Sequence, residues 1–119
     1  MSRRTRVAVW GLAVSLAAVF VLAGASKLRG ASAAAWSKRF EVWGYPAGAH
    51  SAVGALEILA GVGLLVPRSR RAAAAVLVAI MIGAAITHLV HGEFPRVIPP
   101  LVLGGAAATI FAMSRTARV

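Results

Sequence analysis

Between Ala47 and Val66 the chain reads AGAHSAVGALEILAGVGLLV, twenty residues with one charged side chain, Glu57. At about 1.5 Å of rise per residue, a helix of that length reaches about 30 Å, the thickness of a bilayer's hydrocarbon core. An ionised carboxylate near the middle of such a span costs several kcal/mol unless it is protonated or paired. Any fold of this chain must therefore give Glu57 a partner or a task.

The rest of the chain repeats the pattern. Sixty per cent of the 119 residues are hydrophobic and only 13% are charged, about half the charged share of an ordinary soluble domain. A soluble domain this small has too little interior to hide that much apolar surface, so lipid is its natural solvent. Thirteen Lys and Arg against three acids give a net charge of +10. The basic residues fall in short clusters between long apolar runs, which fits bilayer flanks and argues against a nucleic-acid face. The absence of cysteine excludes disulfides, thiol redox chemistry, iron–sulfur clusters and thiolate metal sites.

Arg3, Arg4 and Arg6 precede the first apolar run, Val7 to Ala25. Ala23-Gly24-Ala25 also fits a signal-peptidase site, but nineteen residues exceed a usual h-region, which favours an uncleaved first span. In the polar connection that follows, Ala33, Trp36, Phe40 and Trp43 recur at offsets of three and four. That spacing predicts a short amphipathic interfacial helix with its rings at headgroup depth. Spans are expected over about 7–26, 46–66, 72–90 and 97–113, with Pro46, Pro99 and Pro100 in first turns, where a missing N–H costs least. No alternation of period two suggests strands. The predicted fold is all-α: an integral membrane antiparallel four-helix bundle with the interfacial helix between spans one and two, in a single domain over residues 1–119.

Four spans place both termini on one side. The tails and the Pro67–Arg71 turn hold eight Lys/Arg against five in the other connections, so the positive-inside rule puts the N- and C-termini in the cytoplasm, with the cell inner membrane as the location. Three stripes of small residues at four-residue spacing are expected to let helices approach closely: Ala47, Ser51 and Ala55; Ala79, Gly83 and Thr87; Gly104, Ala108 and Ala112.

This topology puts Lys27, His50, His88 and His91 in one outer layer with Glu57 beneath. His50 and Glu57, seven residues apart, share a helix face. One reading is a half-buried pocket open to the outer face, with Glu57 as proton acceptor or counter-ion and the histidines donating to a carbonyl or quinone-like head group. The other is that Glu57 pairs with Lys27 or a hydroxyl and pins the bundle, while the histidines reach for the interface. A zinc site from His50, His88, His91 and Glu57 has suitable ligand types, but no helix carries a His pair at i, i+4. His91 also falls past the expected helix end, so no metal is assigned.

The order of several short motifs resembles the DoxX-like family of small four-span membrane proteins. They are Leu22-Ala23-Gly24-Ala25-Ser26-Lys27-Leu28, Gly44-Tyr45-Pro46, Gly54-Ala55-Leu56-Glu57-Ile58-Leu59-Ala60-Gly61, a Leu-Leu-Val-Pro exit and Thr87-His88. The resemblance implies a four-helix bundle and carries Lys27 and Glu57 over as family positions. The family takes its name from membrane subunits linked to quinone-coupled oxidation. Three functions follow as expectations. The first is an accessory or anchoring subunit for a redox or respiratory membrane or peripheral partner, with a quinone or lipid head group beside Glu57. The second is a small membrane enzyme or proton-coupled carrier using Glu57 with His50 or His88. The third is a homo-oligomeric module. Membrane lipid is a partner in each, and nucleic acid in none.

Overall fold

The computed structural model describes residues 1–117, with side-chain surroundings through Ser114, and 82% of it is helical. Five α-helices follow in order: α1 Arg3–Ser26, α2 Gly30–Val42, α3 Ala49–Gly63, α4 Arg70–Val90 and α5 Ile98–Ala117, with one 3-10 turn, Phe94–Val97, ahead of α5. No strand occurs among the described residues. The side chains of Arg115 and Arg118, counted above among the tail cations, lie outside the described residues.

The helix starts follow local chemistry. α1 begins four residues before the apolar run because Ser2 caps it, its Oγ accepting from the Thr5 N–H at 3.1 Å. α3 is the main departure from expectation. Its helical part is fifteen residues, about 22 Å, whereas α1, α4 and the segment Phe94–Ser114 are each long and apolar enough to cross a membrane. Gly48, at φ +85° in the left-handed region open to glycine, sets the start. At the other end the chain turns away after Gly63. Ser69 Oγ donates to the Gly63 carbonyl at 2.8 Å and Arg70 Nε to the Leu64 carbonyl at 2.7 Å. The carbonyls a helix end leaves orphaned are thus met by the start of α4.

α1 packs on α3 and α4 on α5, and the two pairs meet through α3–α4 and α1–α5 contacts. Their shared core is Leu16 and Phe20 of α1, Leu64 after α3, Leu77 and Met81 of α4, and Ile110 of α5, with alanines between them. The closest approach is Gly24 against Gly54. A Cβ on Gly24 would lie 2.4 Å from the Gly54 carbonyl oxygen, and one on Gly54 would lie 2.8 Å from that of Gly24. Lower down, Gly61 faces the Ala17 carbonyl, so the two helices run antiparallel. The small-residue stripes expected to make such contacts largely do not. Ala47, Ala55, Ala79, Gly83, Ala108 and Ala112 are exposed, and only Gly104 is tight, against Met81. Four-residue spacing marks a face without saying which way it points.

What covers the outside is apolar. Leu22 is 71% exposed, Leu59 69% and Val102 64%, and Ile82, Ile86 and Leu101 join them. Water would leave this surface unpaid for in any soluble fold, whereas lipid tails solvate it.

Candidate functional site

Near the end where α2 crosses the bundle, the helices leave a half-open cavity of about 480 Å³. α2 is its roof. Trp36, Phe40 and Trp43 turn into the cavity, with Phe40 buried and edge-on to Trp36 at 6.2 Å between ring centres. The periodicity identified this apolar face correctly, and its rings line the cavity.

The deep wall carries Lys27 and Glu57. Lys27 is the residue after α1, 6% exposed, and Glu57 lies mid-way along α3, 3% exposed. The Gly24–Gly54 contact brings the two backbones together one turn away, and Lys27 Nζ reaches Glu57 Oε1 at 2.7 Å. The ammonium also lies 4.3 Å from the centre of the Trp36 ring, a cation–π contact, and its Nζ donates to the Ala23 carbonyl at 3.5 Å. Both charges are therefore compensated within one cluster, as burial demands.

The facing wall comes from the end of α4 and the turn after it. His88 lines the cavity, and its Nδ1 donates to Glu93 Oε1 at 2.8 Å. Trp43 Nε1 donates to Glu93 Oε2 at 3.4 Å, and Arg96 lies 3.5 Å from the same oxygen. The hydrogen bond from His88, with help from Trp43 and Arg96, holds the Glu93 carboxyl below the ordinary carboxylate range. Thr87 Oγ1 donates to the Gly83 carbonyl at 2.8 Å, so it accepts from the Tyr45 hydroxyl. Tyr45 thereby ties the α2–α3 linker to α4.

Three of the five residues singled out from sequence border this cavity: Lys27, Glu57 and His88. His50 does not. It lies edge-on to Phe40 at 6.2 Å, behind the roof, and its Nε2 shares a hydrogen bond with Ser51 Oγ at 3.3 Å. His91 turns back on its own helix and donates from Nδ1 to the Thr87 carbonyl at 2.8 Å. Among the described residues no three His or acidic side chains converge as a metal site would need.

Sequence reasoning passed over Glu93 and Tyr45. Glu93 follows His88 by five residues across the Gly92 turn, an offset that only a chain reversal brings together. Tyr45 stands in the Gly44-Tyr45-Pro46 motif, whose reversal is visible, but its Thr87 partner is 42 residues away.

Amphipathic ligands suit such a cavity: aromatic and aliphatic walls, one buried ion pair, and few polar groups aimed inward. No curated protein and no solved structure matches the chain. Its sequence does match the model of one family over residues 11–111, a stretch that takes in the deep pair, the aromatic roof and the His88–Glu93 wall alike: the chain belongs to the DoxX-like family.

Proposed function

We propose that this membrane protein is a non-enzymatic four-span subunit of the cell membrane, with both chain ends in the cytoplasm. On this reading it assists a redox or respiratory partner and holds a quinone or lipid head group beside Glu57. The observation that carries the reading is the buried Lys27–Glu57 pair in the wall of a half-open, aromatic-roofed cavity. A cavity of about 480 Å³ falls in the range of small-molecule sites. The Trp36, Phe40 and Trp43 rings offer an aromatic surface to a planar ring, whose carbonyl oxygen can accept the Lys27 N–H not directed at Glu57 or the Ala23 carbonyl. α3 completes its crossing with the turns on either side of its fifteen helical residues, and the excess of cations at the terminus-bearing end supports the cytoplasmic placement.

Native mass spectrometry of the protein extracted with its lipids tests this directly. The expected result is a quinone-sized passenger and a second subunit in stoichiometric amount, with the passenger lost in Glu57→Gln. Recovery of neither, or of homo-oligomers alone, sinks the reading. A second reading, a small enzyme or proton-coupled carrier, is favoured by His88 lining the same cavity as Glu57 and reaching Glu93 behind it. Full activity retained by Glu57→Gln in any transport or turnover assay removes that one.

A further inference from the structure

The charges that line the α2-roofed cavity are unevenly matched. Two cations reach one ring: Lys27 Nζ lies 4.3 Å from the centre of Trp36 and the Arg39 guanidinium 5.0 Å from it. Glu57, the one acid among the lining residues, is taken by Lys27 at 2.7 Å. Arg39 makes no ion pair among the described residues, although Glu41 is two positions further along α2. The third lining cation, Arg96, lies 3.5 Å from Glu93, but that carboxylate already receives His88 and Trp43. Arg39 and Arg96 are exposed, whereas Lys27 and Glu57 are buried. Both arginines therefore stand at the mouth, one on α2 and one in the turn ahead of α5, with a neutralised pair at the bottom.

This arrangement decides which end of a ligand goes where. An anion at the bottom would lie beside Glu57, where repulsion is strongest because water is scarce. At the mouth it meets two guanidinium groups, whose planar forks match carboxylate and phosphate oxygens. Between the two levels Trp36, Phe40 and Trp43 supply an apolar surface. We propose that the cavity takes an anionic amphiphile with its neutral end inward. Its carboxylate or phosphate is held by Arg39 and Arg96, its apolar body lies against the α2 rings, and its uncharged end faces Lys27 and Glu57. The inference rests on the reading of this cavity as a ligand site and narrows it to ligands with a negative charge at the mouth.

The test uses the full chain in phosphatidylcholine nanodiscs, with Trp10→Phe so that fluorescence reports Trp36 and Trp43 alone. Decanoate, decyl phosphate and decanol are titrated as probes. Arg39→Gln and Arg96→Gln, both exposed, are each expected to weaken decanoate about fivefold, the effect of one partly exposed ion pair, and to leave decanol unchanged. With both arginines present, the two acids are expected to bind about twentyfold more tightly than decanol, the product of the two contacts. Lys38→Gln, next to Arg39 in sequence but not in the cavity wall, is expected to change neither. Decanol binding as tightly as the acids overturns the proposal while leaving the cavity a ligand site. An Arg39→Gln effect no larger than that of Lys38→Gln overturns it too. Saturation by none of the three probes removes both this inference and the reading of the cavity on which it rests.

Discussion

The two ends of this bundle solve the same problem, a cation inside an apolar fold, in different ways. At the cavity end Lys27 meets Glu57 at 2.7 Å, and Arg96 meets Glu93, which also receives His88 and Trp43. At the other end Arg70 and Arg71 lean on aromatic faces and a backbone carbonyl, with no carboxylate side chain beside them. Where acids exist, the chain closes its own electrostatics inside the cavity wall. Where none exist, donor atoms are left buried without an acceptor. The contrast also separates two kinds of stabilisation, since the cavity end depends on a charge pair and the opposite end on capping and stacking.

The sharpest way to break the comparison is to remove one member of the buried pair. Lys27→Met leaves Glu57 buried and alone, and is expected to cost about 3–5 kcal/mol, read as a lowered midpoint of thermal unfolding in mild detergent. The double change Lys27→Met with Glu57→Gln should recover most of that loss; if it recovers none, the pair is not what holds α1 to α3.

Packing at the cavity end comes next. Gly24→Ala puts a methyl group 2.4 Å from the Gly54 carbonyl and is expected to cost about 1–3 kcal/mol by forcing α1 and α3 apart. Gly11→Ala, where a Cβ would meet nothing within 4 Å, should be neutral or slightly stabilising through helix propensity. Equal behaviour of the two variants in the same unfolding assay would remove the close approach as the reason Lys27 reaches Glu57.

Arg70→Met sharpens the other half of the contrast. It orphans the Leu64 carbonyl but strands no charge, so its expected cost is about 1–3 kcal/mol, less than that of Lys27→Met. A larger cost than Lys27→Met in the same detergent would mean that the guanidinium is paired after all.

The smallest effect concerns pH. The Glu93 carboxyl is held below its ordinary value in the folded protein, first by the His88 hydrogen bond. A depressed folded value means that its contribution is complete above the unfolded value of about 4.3. The contribution is lost as the pH falls through the folded value. Trp43 fluorescence should therefore change on acidification below that unfolded value, and Glu93→Gln should abolish that change. A transition of the same size in the variant would assign it to another group.

Much of the architecture was legible in the residues, and the reasons are local. Apolar length identified the long helices, because a helix in lipid must satisfy its own backbone and cover itself with hydrocarbon. The offsets of Trp36, Phe40 and Trp43 marked the amphipathic α2, because 3.6 residues per turn puts them on one face. Glu57 announced itself as a rare acid in an apolar run. The direction in which a marked face points was not legible: the alanine stripes look outward, and the α2 rings look inward. Nor were Glu93 with His88, Tyr45 with Thr87 and Arg70 with Leu64, since each pair forms only after the chain has turned back on itself.

Sequence alone determined, then, that this chain is helical, apolar on the outside and obliged to compensate one acid, because composition and periodicity act within a turn or two of helix. The residues named Lys27 or a hydroxyl as its partner, and tertiary structure alone decided for the lysine. Of the thirteen Lys and Arg, Lys27 is chosen because two glycines without Cβ atoms let α1 and α3 approach closely one turn from the pair. That selection depends on the distance between backbones far apart in the chain, a quantity no local pattern encodes.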